Sequence, residues 1–140
     1  MDREILFRGK VTGLPLYLQD KKKVSTWVYG SYLSYPTAQI VDLEDEYVVD
    51  PATVGQFTGL CDKNGVKIFE GDIVNAGYEN ANGSFFHYYS VMFSIDNGSW
   101  EIYNKELHFK RLTQITIVKN SIEVIGNIHD NPELLKEEKQ

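Results

Sequence analysis

Cysteine is almost missing from this chain of 140 residues: only Cys61 is present, so neither an internal disulfide nor a multi-cysteine zinc site can form. Long apolar runs are missing too. None approaches the ~20 residues of a membrane-spanning helix, and the N-terminal MDREILFRGK lacks the apolar centre of a signal peptide. Positive charge is in deficit. Fourteen Lys and Arg against twenty Asp and Glu leave a net charge of −6, which argues against a surface built for non-specific nucleic-acid or membrane binding. What is there suffices for a core, since 42% of residues are hydrophobic and 13% aromatic. A domain of this size buries roughly 70% of its unfolded surface and needs no metal or disulfide staple. These features predict a single soluble, acidic, cytoplasmic domain with no membrane segment.

The dominant periodicity is two. Ile5, Phe7 and Val11 alternate with Arg8, Lys10 and Thr12, which reads as a half-buried strand. Trp27, Tyr29 and Leu33 share one parity and Val28 and Tyr32 the other, so this second strand has aromatics on both faces. Gln39 to Val41 and Tyr47 to Val49 are shorter strands around an acidic turn. Tyr89, Val91, Phe93 and Ile95 form one face of the clearest strand, which turns at Asp96-Asn97-Gly98 into Trp100 and Ile102. Asp62-Lys63-Asn64-Gly65 is a second turn. Gln114 to Val118 and Ile122 to Ile128 read as two closing strands. Helix signals are few: Asp50-Pro51 and Asn131-Pro132 each pair a cap with a first-turn proline, and a sparse third candidate spans residues 105–110.

Several constellations could carry chemistry, and each has a plainer reading. His87, His108 and His129 match no zinc spacing. Asp42, Glu44, Asp45, Glu46 and Asp50 could hold a hard cation but lack the pattern of a calcium loop, and read as a solvated acidic turn. Glu70 and Asp72 could split their pKa values for acid–base work or ligate a metal. The flanking Gly71 instead suggests a bend into a strand, with Asp72 bonded to local amides. Cys61 beside Asp62 has no activating positive charge. Lys21, Lys22 and Lys23, followed by Trp27, Tyr29, Tyr32 and Tyr35, form a basic and aromatic patch suited to single-stranded nucleic acid, or an apolar surface for a protein; Arg8 and Lys10 could extend it. No catalytic residue, metal site or cofactor is assigned.

The stretch TVGQFTGLCDKNGVKIFEGDIV at 53–74 resembles the signature of the YopX family of phage and prophage proteins, of the Bacillus prophage type. REILFRGK at 3–10, WVYG at 27–30 and IEVIGNIHDNPELL at 122–135 extend the resemblance in the family's order over nearly the whole chain, while residues 76–111 do not match it. Cys61, Phe69 and His129 depart from the lysine, tyrosine, and tyrosine or phenylalanine expected there. The resemblance implies a small protein of phages and prophages in Gram-positive hosts, without an assigned activity or catalytic residues to carry over. The turn-forming Gly55, Gly59, Gly65, Glu70, Gly71 and Asp72 of the signature are the kind of constraint a fold imposes. EGDIV also resembles the entry to SH3-like barrels, an analogy of fold alone.

Together these readings predict a mainly β domain, all-β or α+β. A small SH3-like barrel occupies the C-terminal half at 51–130, an N-terminal β subdomain at 1–50 packs on it, and a short helix or tail follows at 131–140. The expected function is a non-enzymatic interaction module binding a phage or host protein and able to self-associate. The alternatives are a nucleic-acid-associated protein using the lysine and aromatic patch, and a small metal-dependent hydrolase built on Glu70 and Asp72.

Overall fold

The computed structural model describes residues 3–13 and 27–136. Of these, 55% lie in strands and 11% in helices, which makes the protein mainly β with short helices, as its periodicity predicts. The chain divides into two compact units, 1–57 and 58–140.

The first unit holds β1 (Phe7–Gly13), β2 (Trp27–Leu33), β3 (Gln39–Val41), β4 (Glu46–Val49), a 3-10 turn at Pro51–Thr53 and the start of β5 (Gly55–Cys61). β1 pairs with both β2 and β4, and β3 bridges those two, so the four strands close into a barrel. Alternation points Val28, Ile40, Tyr47 and Val49 into it, with Phe7, Val11 and Tyr32 packed against them. A ring of four strands encloses little space, and two glycines make room. A methyl group on Gly9 would meet the Val49 side chain at 2.9 Å, and one on Gly30 would overlap the Val41 carbonyl oxygen. Below the barrel, the Asp50 carboxylate accepts the Ala52 N–H at 3.0 Å and caps the 3-10 turn, as Asp50-Pro51 foretells.

Tyr47 lends this core a pH dependence. Its burial, and then the nearby Asp42, Asp45 and Glu44 carboxylates, push the phenol above its ordinary value of 10.0. Above that pH the unfolded chain gives up a proton that the folded barrel retains, so stability falls as pH rises through this range. Tyr47→Phe is expected to flatten that alkaline decline, read from urea midpoints measured between neutral pH and strong alkali.

The second unit contains the rest of β5, then β6 (Lys67–Phe69), β7 (Asp72–Asn80), β8 (Gly83–Ser94), β9 (Ser99–Asn104), β10 (His108–Arg111), α1 (Gln114–Lys119), β11 (Glu123–Asn127) and α2 (Glu133–Lys136). Its antiparallel sheet runs β10-β9-β8-β7-β11. One face presents Val74, Ala76, Tyr89, Val91 and Ile102 to Ile68, Leu112, Ile117 and Ile122, which form the core. The barrel expected in the C-terminal half therefore closes in the N-terminal unit instead. In the second unit β10 and β11 remain the two ends of a sheet whose inner face is covered by Ile117 of α1 and by flanking segments.

Two local expectations change. Residues 114–118 form a helix rather than a strand, because Thr113 and Thr116 build a reciprocal capping box that overrides the β-branched composition. Ile117 alone of that helix is buried, while Ile115 and Val118 face solvent. Residues 105–110 form a turn and β10 rather than a helix. The β8–β9 turn is a four-residue loop between Ser94 and Ser99, and only Gly98 of it has positive φ, at 63°.

Candidate interaction surface

Among the described residues, the aromatics of the patch read from the sequence do not share one face. Lys21, Lys22 and Lys23 lie outside the described residues. Trp27 is half-buried, with the Arg8 guanidinium 4.8 Å above its ring centre. Arg8 itself is only 6% exposed, so it stacks inside the unit and does not stand out as a surface cation. Tyr32 points to the opposite side, into the barrel, with its ring 5.8 Å from Phe7. Tyr29 and Tyr35 are exposed, and Tyr35 stands beyond the end of β2. Lys10 donates its backbone N–H to Thr53 at 2.9 Å.

The acidic residues serve local backbone. Asp42 accepts the N–H groups of Glu44 and Asp45 at 2.8 and 2.7 Å. Asp72 is buried and accepts the Phe69 N–H at 2.7 Å, while Glu70 is half-buried beside it. Gly59, Gly65 and Gly71 adopt positive φ, and Gly55 is buried at the start of β5. Cys61 is half-buried at the end of β5. Among the described residues, no three His, Cys, Asp or Glu side chains group as metal ligands.

The second unit shows a sharper feature: the two ends of its sheet are treated differently. At β11, the Asp62 turn seals the edge. The Asp62 carboxylate accepts the Val124 N–H at 2.9 Å, the Lys63 N–H reaches the Ile122 carbonyl at 3.0 Å, and Lys63 pairs with Glu123 at 3.4 Å. A register shift between Val124 and Gly126 further breaks the ladder. β10, at the other end, has no strand on its outer side among the described residues. The Leu112 N–H bonds the Trp100 carbonyl at 2.9 Å, so strand alternation turns the backbone of Phe109 and Arg111 away from β9. The Arg111 carbonyl takes the Thr116 hydroxyl at 3.1 Å. The Phe109 N–H and C=O and the Arg111 N–H are left facing outward.

The side chains around this edge are apolar and basic. Phe109 is 53% exposed, and its ring lies 4.7 Å from that of Tyr103. His108 and Lys110 flank it in sequence, with Lys105 and Arg111 nearby along the chain, against the exposed Glu106 and the buried Glu101 opposite Arg111. Next to the β9–β10 turn, a groove of about 330 Å³ runs between the outer sheet face and α2, lined by Tyr88, Tyr103, Pro132 and Leu135 together with Lys105, Glu106 and Lys136. Asn104 shapes this corner: it donates to the Tyr88 carbonyl at 2.8 Å and accepts the Glu106 and Leu107 N–H groups at 2.8 and 3.0 Å. Of these residues only His108 was singled out from the sequence, as one of three histidines at no zinc spacing. The available signal was the alternation of His108, Phe109, Lys110 and Arg111, a short basic strand carrying one aromatic, which reads equally as a piece of helix.

Among the described residues no helix is long and apolar enough to cross a membrane. Comparison with curated proteins gives no match. The family described as YopX protein matches residues 9–136, including the 76–111 stretch in which the sequence showed no resemblance. With nearly its whole length covered by that match, the chain belongs to the YopX family.

Proposed function

We propose that this chain is a non-enzymatic interaction module of a phage or prophage, binding a phage or host protein by strand addition to β10. The observation that carries the reading is the contrast between the two sheet ends. One is sealed by the Asp62 turn, and the other presents outward backbone groups beside an exposed phenylalanine. Soluble β proteins cover, charge or pair such edges, and an extended segment from another chain satisfies the same groups with main-chain hydrogen bonds.

The test is affinity capture of the tagged protein from prophage-induced cells, with and without nuclease, comparing the wild type with Arg111→Pro. Proline at an outward-facing N–H leaves the β9 ladder intact while removing one of the edge's donors. A nuclease-resistant partner captured by the wild type and reduced about tenfold by the variant is the expected result. That factor corresponds to about 1.4 kcal/mol, one strand-pairing hydrogen bond. Partners that vanish with nuclease, or that bind Arg111→Pro equally well, overturn the reading. Unchanged fluorescence of Trp100 in the variant shows that the sheet is intact.

A further inference from the structure

Resting on strand addition at β10, we infer the chemistry of the partner: an extended acidic segment with one apolar side chain set against Phe109. The register dictates the pattern. A strand hydrogen-bonded to the outward groups of Phe109 places one residue directly opposite it, with both side chains on the outer sheet face beside Tyr103. That residue is apolar, to cover a ring already half out of water. Two positions along, the incoming side chain lies next to Arg111, and the position between them falls beside Lys110 on the other face. Both neighbours are cations, so carboxylates fit there, and Lys105 extends the same charge towards the groove.

This concentration of positive charge stands out in a chain of net charge −6. Three cations and His108 within seven residues, against Glu106 and the buried Glu101 opposite Arg111, leave a local excess opposite in sign to that of the whole. The same charges argue against a second copy in the register that uses both outward-facing residues. Antiparallel self-pairing centred on Lys110 sets Lys110 directly opposite its own equivalent, an arrangement that destabilises a ladder. The outward N–H and C=O groups of Phe109 favour a peptide backbone over a nucleic acid, because a phosphate chain accepts hydrogen bonds and leaves that carbonyl without a donor.

The experiment is fluorescence anisotropy with three labelled probes: an eight-residue peptide of glutamate and threonine around one phenylalanine, its lysine-for-glutamate counterpart, and an oligo-dT of similar charge. The glutamate peptide is expected to bind about tenfold tighter than the lysine peptide, and to lose most of that advantage when salt rises to several hundred millimolar and shortens the screening length. Arg111→Glu is expected to abolish or reverse the preference.

Equal binding of both peptides, each lost in Arg111→Pro, overturns the acidic assignment while leaving strand addition at β10 standing. Binding of neither peptide up to millimolar concentration, or binding undiminished by Arg111→Pro, removes the strand-addition reading as well. Preference for oligo-dT makes the patch a nucleic-acid site, and concentration-dependent self-association lost in Arg111→Pro makes the occupant a second copy. Either result overturns the proposal.

Discussion

Replacing Asp62 by alanine is expected to cost the 58–140 unit about 3 kcal/mol, a large share of the 5–15 kcal/mol that stabilises a typical domain. The Asp62 carboxylate is only 6% exposed and does two jobs. Its Oδ1 accepts the N–H groups of Asn64 and Val66 at 2.8 and 2.9 Å, shaping the turn between β5 and β6. Its Oδ2 accepts the Val124 N–H at 2.9 Å from a residue 62 positions away. Hydrogen bonds to an ionised acceptor contribute about 1.5–3 kcal/mol each, and removing the acceptor leaves amides desolvated without a partner. The three losses share one cause and do not simply add, which is why the expected total lies near a single strong bond plus a penalty.

The two tryptophans make the measurement specific, since Trp27 belongs to the first unit and Trp100 packs on the core of the second. In a Trp27→Phe background, urea unfolding followed by Trp100 fluorescence reports the second unit. Asp96→Ala, in the exposed β8–β9 loop, serves as the comparison and is expected to change stability by no more than about 0.5 kcal/mol. A loss below about 1 kcal/mol for Asp62→Ala would mean that the turn holds its shape through the backbone bonds Asp62 N–H to Val66 and Gly65 N–H to Asp62 alone.

Asp62 also marks how far the sequence can be read. Its turn is legible because the chemistry is local: an aspartate two and four residues ahead of the amides it caps, with Asn64 and Gly65 following. The Asp50-Pro51 cap and the tail helix after Asn131-Pro132 are legible for the same reason. The second bond of Asp62, to Val124, is not, because nothing near position 62 signals which strand edge will lie beside it. The edge at β10 was hidden in the same way. Phe109 and Arg111 become outward-facing only once the β9–β10 register is set, and the four-residue strand carries too few apolar positions to separate a period of two from one of 3.6. The outer half of the β7–β8 hairpin escaped for a compositional reason. Past Val74 the inward parity of β7 carries only Ala76 and Tyr78 before Asn80, a weak apolar signal, and the strand is held there by pairing with Phe85, Phe86 and His87. Tyr78 stacks on Phe85 at 5.3 Å and on His87 at 5.5 Å, contacts that exist only across the two strands.

Gly30→Ala is expected to be as damaging to the first unit as Asp62→Ala is to the second, for a steric reason. The new Cβ would overlap the Val41 carbonyl oxygen and lie 2.8 Å from its carbon, both backbone atoms that no rotamer change can move. Relief requires β2 and β3 to separate where Ser31 pairs with Val41, and that pairing is one of the four that close the barrel. A strand shift there also withdraws Ile40, which is fully buried, from Val28 and Tyr47. Overpacking by a single methyl in a tight core costs typically about 1–3 kcal/mol, and a clash with backbone in a closed ring belongs at or above the top of that range.

Two further alanine substitutions separate space from conformation. Gly9→Ala meets the Val49 side chain at 2.9 Å, a neighbour able to yield part of the distance, and is expected to cost less, about 1–2 kcal/mol. Gly59→Ala has open space around its Cβ but a φ of +87°, so its cost is that of a strained backbone, about 1–2 kcal/mol, without any packing change. In a Trp100→Phe background, Trp27 fluorescence in urea is expected to rank Gly30→Ala well below Gly9→Ala in stability. Equal midpoints for Gly30→Ala and wild type would show that β2 and β3 do not approach as closely as a four-stranded ring requires.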